Sequence, residues 1–320
     1  MQHVPVLLNE VLQCFSTLDP DGTFVDVTLG LGGHSEALLS RHPRIRLIGI
    51  DRDPRALHLA GERLGKFGER VKLIEGRYEA LIEILDKEKV DRVDGLLADL
   101  GVSSMQLDDP SRGFSFRSDG PLDMRMSAHG TSAADLVNDL AEADLVDLIR
   151  RWGEEPMAKR IAKAIIAERE TARIETTTRL TEVIRTVKKP QFGKIDPATL
   201  TFQALRIATN EEISGLERFV EDAVETLAPE GRIAVISFHS LEDRIVKKTF
   251  RRLEGECRCP PGMPVCGCGA VKSIEVLTSR PVAADEEEER LNPRSRSAKM
   301  RIAEKVSVRD SGDTGSATQR

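Results

Sequence analysis

The sequence predicts an α/β protein whose mostly parallel sheet is interrupted by a long helical insert. Over the first hundred residues, short apolar runs rich in β-branched residues alternate with stretches of helical spacing, and the apolar runs cover 23–30, 46–51, 71–76 and 93–101. Strands and helices that alternate in this way form right-handed βαβ units around a parallel sheet. A Rossmann-like fold is therefore expected.

The alternation stops after residue 101. Between 102 and 208 no segment has the pattern of a strand, whereas helical spacing recurs at 132–138, 144–151, 156–170 and 178–188. A connection of this length without structure of its own would be unusual in a compact domain. We therefore expect an inserted helical domain at 102–208.

The α/β pattern resumes after the insert. Helical patterns at 210–227 and 241–253 flank an apolar run at 231–238, and late strands are expected at 272–278 and 297–306. The expected organisation is a first part of the α/β domain at 1–101, the insert, a second part at 209–306 and a flexible tail at 307–320.

Composition excludes several classes of protein. The formal net charge of −6 argues against a uniformly basic surface, although a local basic patch remains compatible with it. No apolar run approaches the roughly 20 residues that a membrane span needs, and the N-terminus lacks the pattern of a signal peptide. Five cysteines in 320 residues do not make the framework of a secreted disulfide-rich domain. A cytoplasmic protein is therefore expected.

A glycine-rich loop, DVTLGLGGHS (26–35), lies between the first strand and the first helix. Glycines at this point let the backbone turn tightly and approach a ligand, and the helix then directs its N-terminal N–H groups at it. The dinucleotide pattern G-x-G-x-x-G fails because Ser35 occupies the third glycine position. The loop therefore favours S-adenosylmethionine (SAM) over a pyrophosphate cofactor, and the alternative is a turn that merely joins strand to helix.

Acidic residues end the second and fourth predicted strands. Asp51 follows the glycine loop at the distance where nucleotide-binding α/β folds place the acid that accepts from the ribose hydroxyls. Its alternative role is to cap the next helix, for which Asp53 competes better. Asp99 ends strand four, where ligands bind in open α/β sheets, and it could accept a hydrogen bond from an amine. The only tyrosine, Tyr78, follows strand three and could pack on an adenine or serve as an ordinary half-buried aromatic residue.

Longer strings in the sequence resemble the MraW (RsmH) family of bacterial methyltransferases, which act on a cytosine N4 of 16S ribosomal RNA. The resemblance runs from about residue 3 to about residue 306 and is most specific in DLGVSSMQLDDPSRGFSFRSDGPLDMRM (99–126) and ISFHSLEDRIVK (236–247). It is also present in HVPVLLNEVL (3–12), GLGGHS (30–35), IDRDP (50–54), TFQALRI (201–207) and NPRSRSAKMR (292–301).

The resemblance implies a class I SAM-dependent methyltransferase, a Rossmann-like α/β domain interrupted by a helical one. It implies a cytidine in the decoding centre of small-subunit ribosomal RNA as substrate, and that RNA or the small ribosomal subunit as partner, without a membrane or DNA. Amino-group methyltransferases usually follow the strand-four acid with two prolines and an aromatic residue, whereas Leu100 and Gly101 follow Asp99 here. Carried over by position, the SAM contacts are Gly32, Gly33, His34, Asp51, Tyr78, Asp99 and Gln106.

The chemistry implied is direct displacement by the exocyclic N4 of cytosine. This amine is a poor nucleophile because its lone pair is delocalised into the ring, so an acceptor for its proton would help as charge develops. We expect Asp99 and His239 to be the catalytic residues, since His239 can donate or accept at neutral pH. The neighbouring Ser240 and Asp243 have the spacing of a helix cap, close to a capping box.

RNA binding would fall to the basic part of the insert and to a few aromatic residues. Residues 151–189 hold ten Lys or Arg and six Glu, which gives a net charge of +4 there (10 − 6). Solvated helix faces with i,i+4 ion pairs explain part of this excess. A base inside folded RNA must be flipped out to react, and Phe114, Phe116 and Phe238 are candidate stacking surfaces, although core packing suits each of them too.

Four of the five cysteines cluster near the C-terminus, at Cys257, Cys259, Cys266 and Cys268. Four thiolates can hold a structural zinc ion, and in a reducing compartment a metal is favoured over disulfides. The spacing differs from the usual C-x-x-C pattern. The alternatives are a reduced loop with free thiols or a flexible segment that becomes ordered on the ribosome.

Three other functions share some of these features. An NAD-dependent dehydrogenase would share the fold and Asp51, but the failed third glycine argues against it. A small-molecule SAM methyltransferase would keep the cofactor motifs, yet has less use for an insert that carries a basic segment. A non-catalytic rRNA-binding assembly factor would keep the basic segment, yet has no need for Asp51 and Asp99.

Overall fold

The computed structural model describes residues 5–127, 129–193, 195–257, 259, 267 and 269–307. The chain forms two compact units, and each is described by itself. The first combines residues 1–100 with 216–320, and the second comprises 101–215. The second unit therefore extends past the expected insert boundary at 208.

The first unit is built on a seven-stranded sheet. Its strands are β1 (Thr23–Asp26), β2 (Arg46–Asp51), β3 (Val71–Glu75), β4 (Val93–Asp99), β5 (Leu227–Ser237), β6 (Ile274–Val276) and β7 (Lys299–Lys305). Their order is β3-β2-β1-β4-β5-β7-β6, parallel from β3 to β5, with β7 antiparallel to β5 and to β6. The strand order reverses between β1 and β4, which is the switch point where open α/β sheets bind ligands.

Thirteen α-helices lie in the described part of the chain. They are α1 (Leu8–Cys14), α2 (Gly33–Arg41), α3 (Pro54–Leu64), α4 (Leu81–Glu88), α5 (Ser104–Asp108), α6 (Ala133–Asp139), α7 (Glu142–Gly153), α8 (Ala158–Arg169), α9 (Thr177–Val187), α10 (Thr199–Asn210), α11 (Leu216–Thr226), α12 (Ser240–Leu253) and α13 (Glu286–Leu291). None of these helices is long and apolar enough to span a membrane.

Both faces of the sheet are covered, because consecutive strand residues enter two separate apolar clusters. Phe24 and Leu97 belong to one cluster, whereas their neighbours Val25 and Leu96 belong to the other. Side chains alternate between faces along a strand, so a strand buried on both faces is a continuous apolar run. This arrangement confirms the predicted α/β fold with a mostly parallel sheet.

The second unit is helical and has its own core. Buried residues of α6 to α10 form one apolar cluster, in which α7 packs against α8 and α10, and α8 packs against α9. In the described residues of this unit no strand forms, and the β-pairing there is a single bridge between Pro121 and Thr176. The all-helical insert is therefore confirmed.

The chain after the insert differs from the expected helix at 210–227. The helix α10 extends to Asn210, and Glu211 follows with a positive φ of 52° that ends it. The next helix, α11, begins only at Leu216. The strand β5 begins at Leu227 rather than at 231, because a bulge against β4 lets the Pro229–Gly231 segment remain within the strand.

Candidate functional site

The glycine loop is held in place by the carboxylate of Asp51. Gly30 donates its N–H to Asp51 Oδ2 at 2.7 Å, and Asp53 donates its N–H to Oδ1 at 2.8 Å. Gly30 and Gly32 have positive φ values of 53° and 73°, and Gly32 is the N-cap of helix α2. A Cβ on Gly33 would lie 2.5 Å from the Pro5 Cγ atom, so a larger residue would displace this turn.

Asp51 is thus not the cap of the following helix. Asp53 takes that role, since its side chain accepts the N–H of Arg55 at 3.0 Å. Burial raises the pKa of Asp51, and the two backbone N–H donors oppose part of that rise. Each oxygen of an ionised carboxylate has room for a further donor, so Asp51 can organise the loop and also accept from a ligand hydroxyl.

Asp99 ends β4 beside the glycine loop. Its N–H donates to Thr28 Oγ1 at 2.5 Å. Its Oδ1 atom is buried and has no hydrogen-bond partner among the described residues, and the same holds for Ser237 Oγ at the end of the neighbouring strand β5. Buried polar atoms are nearly always paired in proteins. Two such atoms at the carboxyl edge of adjacent strands are therefore where a bound ligand would supply the missing partners.

The pKa of Asp99 lies well above its ordinary value. Burial is the main cause, and the negative charges of Asp26 and Glu242 raise this pKa further. These surroundings make the carboxyl group of Asp99 harder to ionise than that of an exposed aspartate, and a positive charge placed nearby would favour its ionised form.

Asp26 is an acid that the sequence analysis did not single out. Its carboxylate is buried at the end of β1, where it accepts from Ser35 Oγ at 2.7 Å and from the Thr28 N–H at 3.2 Å. Burial raises the pKa of Asp26 to about 6. Its position at the start of the glycine-rich loop was the signal that could have identified it.

His34 connects the loop to the N-terminal segment. Its Nε2 atom lies 2.8 Å from the carbonyl oxygen of Val6, and since a carbonyl can only accept, Nε2 carries the proton. The other ring nitrogen, Nδ1, lies 3.9 Å from Asp99 Oδ2. The side chain of His34 is buried, and its backbone lies in the first turn of α2.

His239 is the N-cap of helix α12. Its Nδ1 atom accepts the Glu242 N–H at 3.4 Å, while Glu242 Oε2 accepts the N–H groups of Phe238 and His239 at 2.8 and 3.3 Å. The capping box expected at Ser240 and Asp243 is therefore wrong by one residue.

Asp243, which was expected to take part in the capping box, has a different partner. Asp243 pairs with Arg301 of β7 at 2.6 Å, and the Arg301 side chain is nearly buried.

The catalytic role expected for His239 stays a prediction. Its Nε2 atom is buried and has no hydrogen bond to the described residues, although it lies 3.2 Å from Glu242 Oε1.

Two of the expected cofactor contacts have structural partners of their own. The ring of Tyr78 packs at 4.8 Å from that of Phe219, between ring centres. Gln106 lies in the helical unit, where its side-chain oxygen accepts the Ser103 N–H at 3.0 Å and its own N–H donates to Ser103 Oγ. Both residues keep their expected roles as predictions.

The three phenylalanines considered for base stacking are packed within their units. Phe114 is buried, Phe116 packs edge-on against Phe202 at 5.0 Å, and Phe238 packs against the apolar cluster on one face of the sheet. Phe116 and Phe238 remain partly exposed, and the fully exposed Phe192 was missed.

The zinc hypothesis depends on residues that are only partly described. Cys257 is exposed and Cys259 is partly exposed. Cys266 and Cys268 lie outside the described residues, so a zinc site at these four cysteines stays a prediction.

Comparison with known proteins assigns the family. A model of the MraW methylase family matches residues 1–306. The protein named Ribosomal RNA small subunit methyltransferase H from Pelobacter propionicus is 50% identical over 310 residues, which cover 95% of this chain and 99% of the relative. The protein of the same name from Geobacter sulfurreducens is 50% identical over 309 residues, with 95% and 99% covered.

Among solved structures, a putative rRNA methylase from Clostridium thermocellum aligns with a TM-score of 0.44 at 13% identity, covering 96% of this chain and 100% of that one. A putative methyltransferase from Streptococcus mutans in complex with SAH aligns with a TM-score of 0.44 at 11% identity, covering 95% and 100%. The match over residues 1–306 and the near-full-length relatives establish that this chain belongs to the MraW methylase family and is a SAM-dependent methyltransferase.

Proposed function

We propose that the protein transfers a methyl group to the exocyclic N4 of a cytidine in the decoding centre of small-subunit ribosomal RNA. The proposal rests on sequence identity: relatives named Ribosomal RNA small subunit methyltransferase H share 50% of their residues with this chain over 95% of its length. The choice of cytidine N4 comes from the resemblance of the sequence strings. The partner is this RNA or the small ribosomal subunit.

The residues at the carboxyl edge of the sheet fit the cofactor. Asp51 retains acceptor capacity for ribose hydroxyls, and the turn at Gly32 and Gly33 lets a ligand approach the start of α2. The unpaired oxygens of Asp99 and Ser237 offer polar partners to a ligand. SAM, when bound, supplies an electrophilic methyl group.

Asp99 is the residue proposed to accept the amine proton. Accepting requires the ionised carboxylate, and its raised pKa makes that carboxylate a stronger base than an exposed aspartate. His34 Nδ1 lies 3.9 Å from Asp99 Oδ2, and His34 Nε2 donates to the carbonyl oxygen of Val6, which holds the ring beside the carboxyl group. We propose His239, with its Nε2 not hydrogen-bonded to described residues, as a second group on the substrate side.

The test is methyl transfer to purified small-subunit RNA, followed by digestion and mass spectrometry of the nucleosides. The expected product is N4-methylcytidine. Asp99→Ala should lower turnover by roughly 100-fold, the order expected for loss of a general base, while RNA affinity stays unchanged. The proposal fails if 5-methylcytidine is the product, or if the Asp99→Ala protein retains full turnover.

A further inference from the structure

Phe192 is the most exposed of the large apolar residues described, with a relative exposure of 108%. It lies in the segment that follows helix α9, which we call the α9 loop and define as residues 189–193. An aromatic ring fully in water makes no contribution to the core of the helical unit. The sequence around it, KKPQFGKI (188–195), contains four apolar or small residues and three lysines, but no acid.

Helices α8 and α9 form an antiparallel pair, so the start of α8 and the α9 loop lie at the same end. An ion pair joins the two helices at this end. Lys188, just after α9, contacts Glu155, just before α8, at 2.7 Å, and the Glu155 side chain is fully buried. At the opposite end, Arg179 in α9 pairs with Glu168 in α8.

Most cations of the basic segment are already engaged. Arg173, Arg179, Arg185 and Lys188 form ion pairs with Asp139, Glu168, Asp196 and Glu155, and Arg169 donates to the carbonyls of Val137 and Leu140. Of the other five, Arg151 lies over the ring of Trp152, and four exposed cations have no ion-pair partner in the described part of the chain. They are Lys159, Arg160 and Lys163 in α8, and Lys189 in the α9 loop.

Lys159 and Arg160, in the first turn of α8, therefore lie at the same end of the helical pair as the exposed ring, and Lys163 follows one turn further along α8. Proteins that bind single-stranded nucleic acid combine cations that follow the backbone with aromatic rings on which bases stack. A protein partner fits less well, because the cores of protein–protein interfaces are depleted in lysine.

We propose that Phe192 is a stacking platform for an unpaired base of the RNA, with Lys189 and the three α8 cations binding the adjacent phosphates. This inference rests on the proposed function, since it takes RNA as the partner of the methyltransferase. It adds a binding site on the helical unit for a single-stranded segment. Stacking tolerates any base, so the site holds the strand without reading its sequence.

The experiment measures affinity for a fluorescein-labelled single-stranded oligocytidine RNA by anisotropy, with the full-length protein. Phe192→Ala should weaken binding by about 5- to 100-fold, the loss that corresponds to one stacked base. Phe192→Trp should restore the affinity and its indole fluorescence should be quenched by the RNA. Phe192→Leu, which keeps an apolar surface without a ring face, should not restore it.

Two controls separate stacking from other effects. Leu291→Ala removes an apolar side chain that is 69% exposed in the other unit, and it should leave the affinity unchanged. The same RNA annealed to its complement offers no unpaired base, so Phe192→Ala should change duplex affinity by less than about twofold.

The stacking site is overturned if Phe192→Ala binds the single strand like the wild type, if Phe192→Leu restores binding, or if duplex affinity falls equally. Methyl transfer by the wild-type protein tests the proposed function separately. Transfer with no effect of Phe192→Ala on affinity overturns the stacking site alone. Loss of affinity in that variant, without N4-methylcytidine from the wild type, overturns the proposed reaction alone.

Discussion

Asp26 and Asp99 end neighbouring strands, and Asp26 affects the pKa of Asp99. The negative charge of Asp26 raises the pKa of Asp99, in addition to the larger effect of burial. Asp26 itself has a pKa of about 6, so it is charged at neutral pH and neutral below that value. An almost fully buried acid can therefore influence the pH range in which the proposed base works.

Replacing Asp26 with Asn should move the acidic limb of the turnover profile to lower pH. The change removes a negative charge near Asp99, which lowers the pKa of Asp99 and leaves more of it ionised at a given pH. The measurement is kcat at saturating SAM and RNA from about pH 5 to pH 9. Because Asp26 loses its charge below about pH 6, the two profiles should differ most above that pH.

The control for this prediction is Asp222→Asn. The pKa of Asp222 is also raised by burial, but this residue in α11 is not among the groups that act on Asp99. Its profile should match that of the wild type. An acidic limb that stays in place in Asp26→Asn, or moves to higher pH, would show that Asp99 does not govern turnover.

At the scale of the elements, the N-cap of helix α12 is His239, whereas Ser240 was the expected cap. A cap at Ser240 with Asp243 and a cap at His239 with Glu242 have the same spacing, so the sequence alone does not distinguish them. The backbone at the end of β5 selects the cap at His239, because Glu242 Oε2 accepts the N–H of Phe238 as well as that of His239. His239 thus has a structural role that its position near the proposed site did not reveal.

The two roles of His239 can be separated by replacement. Asn is a good N-cap, so His239→Asn should keep the melting temperature, whereas His239→Ala should lose about 1 kcal/mol of stability. If the imidazole also acts on the substrate, His239→Asn should lower turnover despite its intact stability. Ser132→Ala, which removes the cap of α6 in the other unit, should lower stability by a similar amount and leave turnover unchanged. Wild-type turnover in His239→Asn would limit His239 to capping.

The parts of the fold that sequence could predict are those with a clear period. Alternating strands and helices predicted the sheet, and the glycine loop, Asp51 and Asp99 followed from strand ends. The helix α10 was missed because many of its residues, including Phe202, Leu205 and Ile207, are buried, which blurs a one-sided pattern. The partners of Asp99 were also missed, since Asp26 and Glu242 approach it only through packing of the folded sheet.

For the whole molecule, charge is distributed unevenly. The chain carries a net charge of −6, and most cations of its basic segment contact other groups of the protein. Lys159, Arg160 and Lys163 on α8 form no ion pair with any residue that the structure describes. If these cations bind RNA phosphates, their contribution depends on the release of counterions from the RNA. Because the rest of this acidic protein repels RNA, the affinity for RNA would depend on this local contribution.

Reversing Lys159, Arg160 and Lys163 to Glu should flatten the dependence of RNA affinity on salt. Loss of three phosphate contacts on a single strand should reduce the slope of log K against log salt by about 2. The control reverses Arg41, Arg46 and Lys87, which are exposed in the other unit. Both variants carry the same net charge, so a slope that falls only in the α8 variant assigns the contacts to α8. An equal change in both variants would reflect net charge alone and would contradict a local binding site.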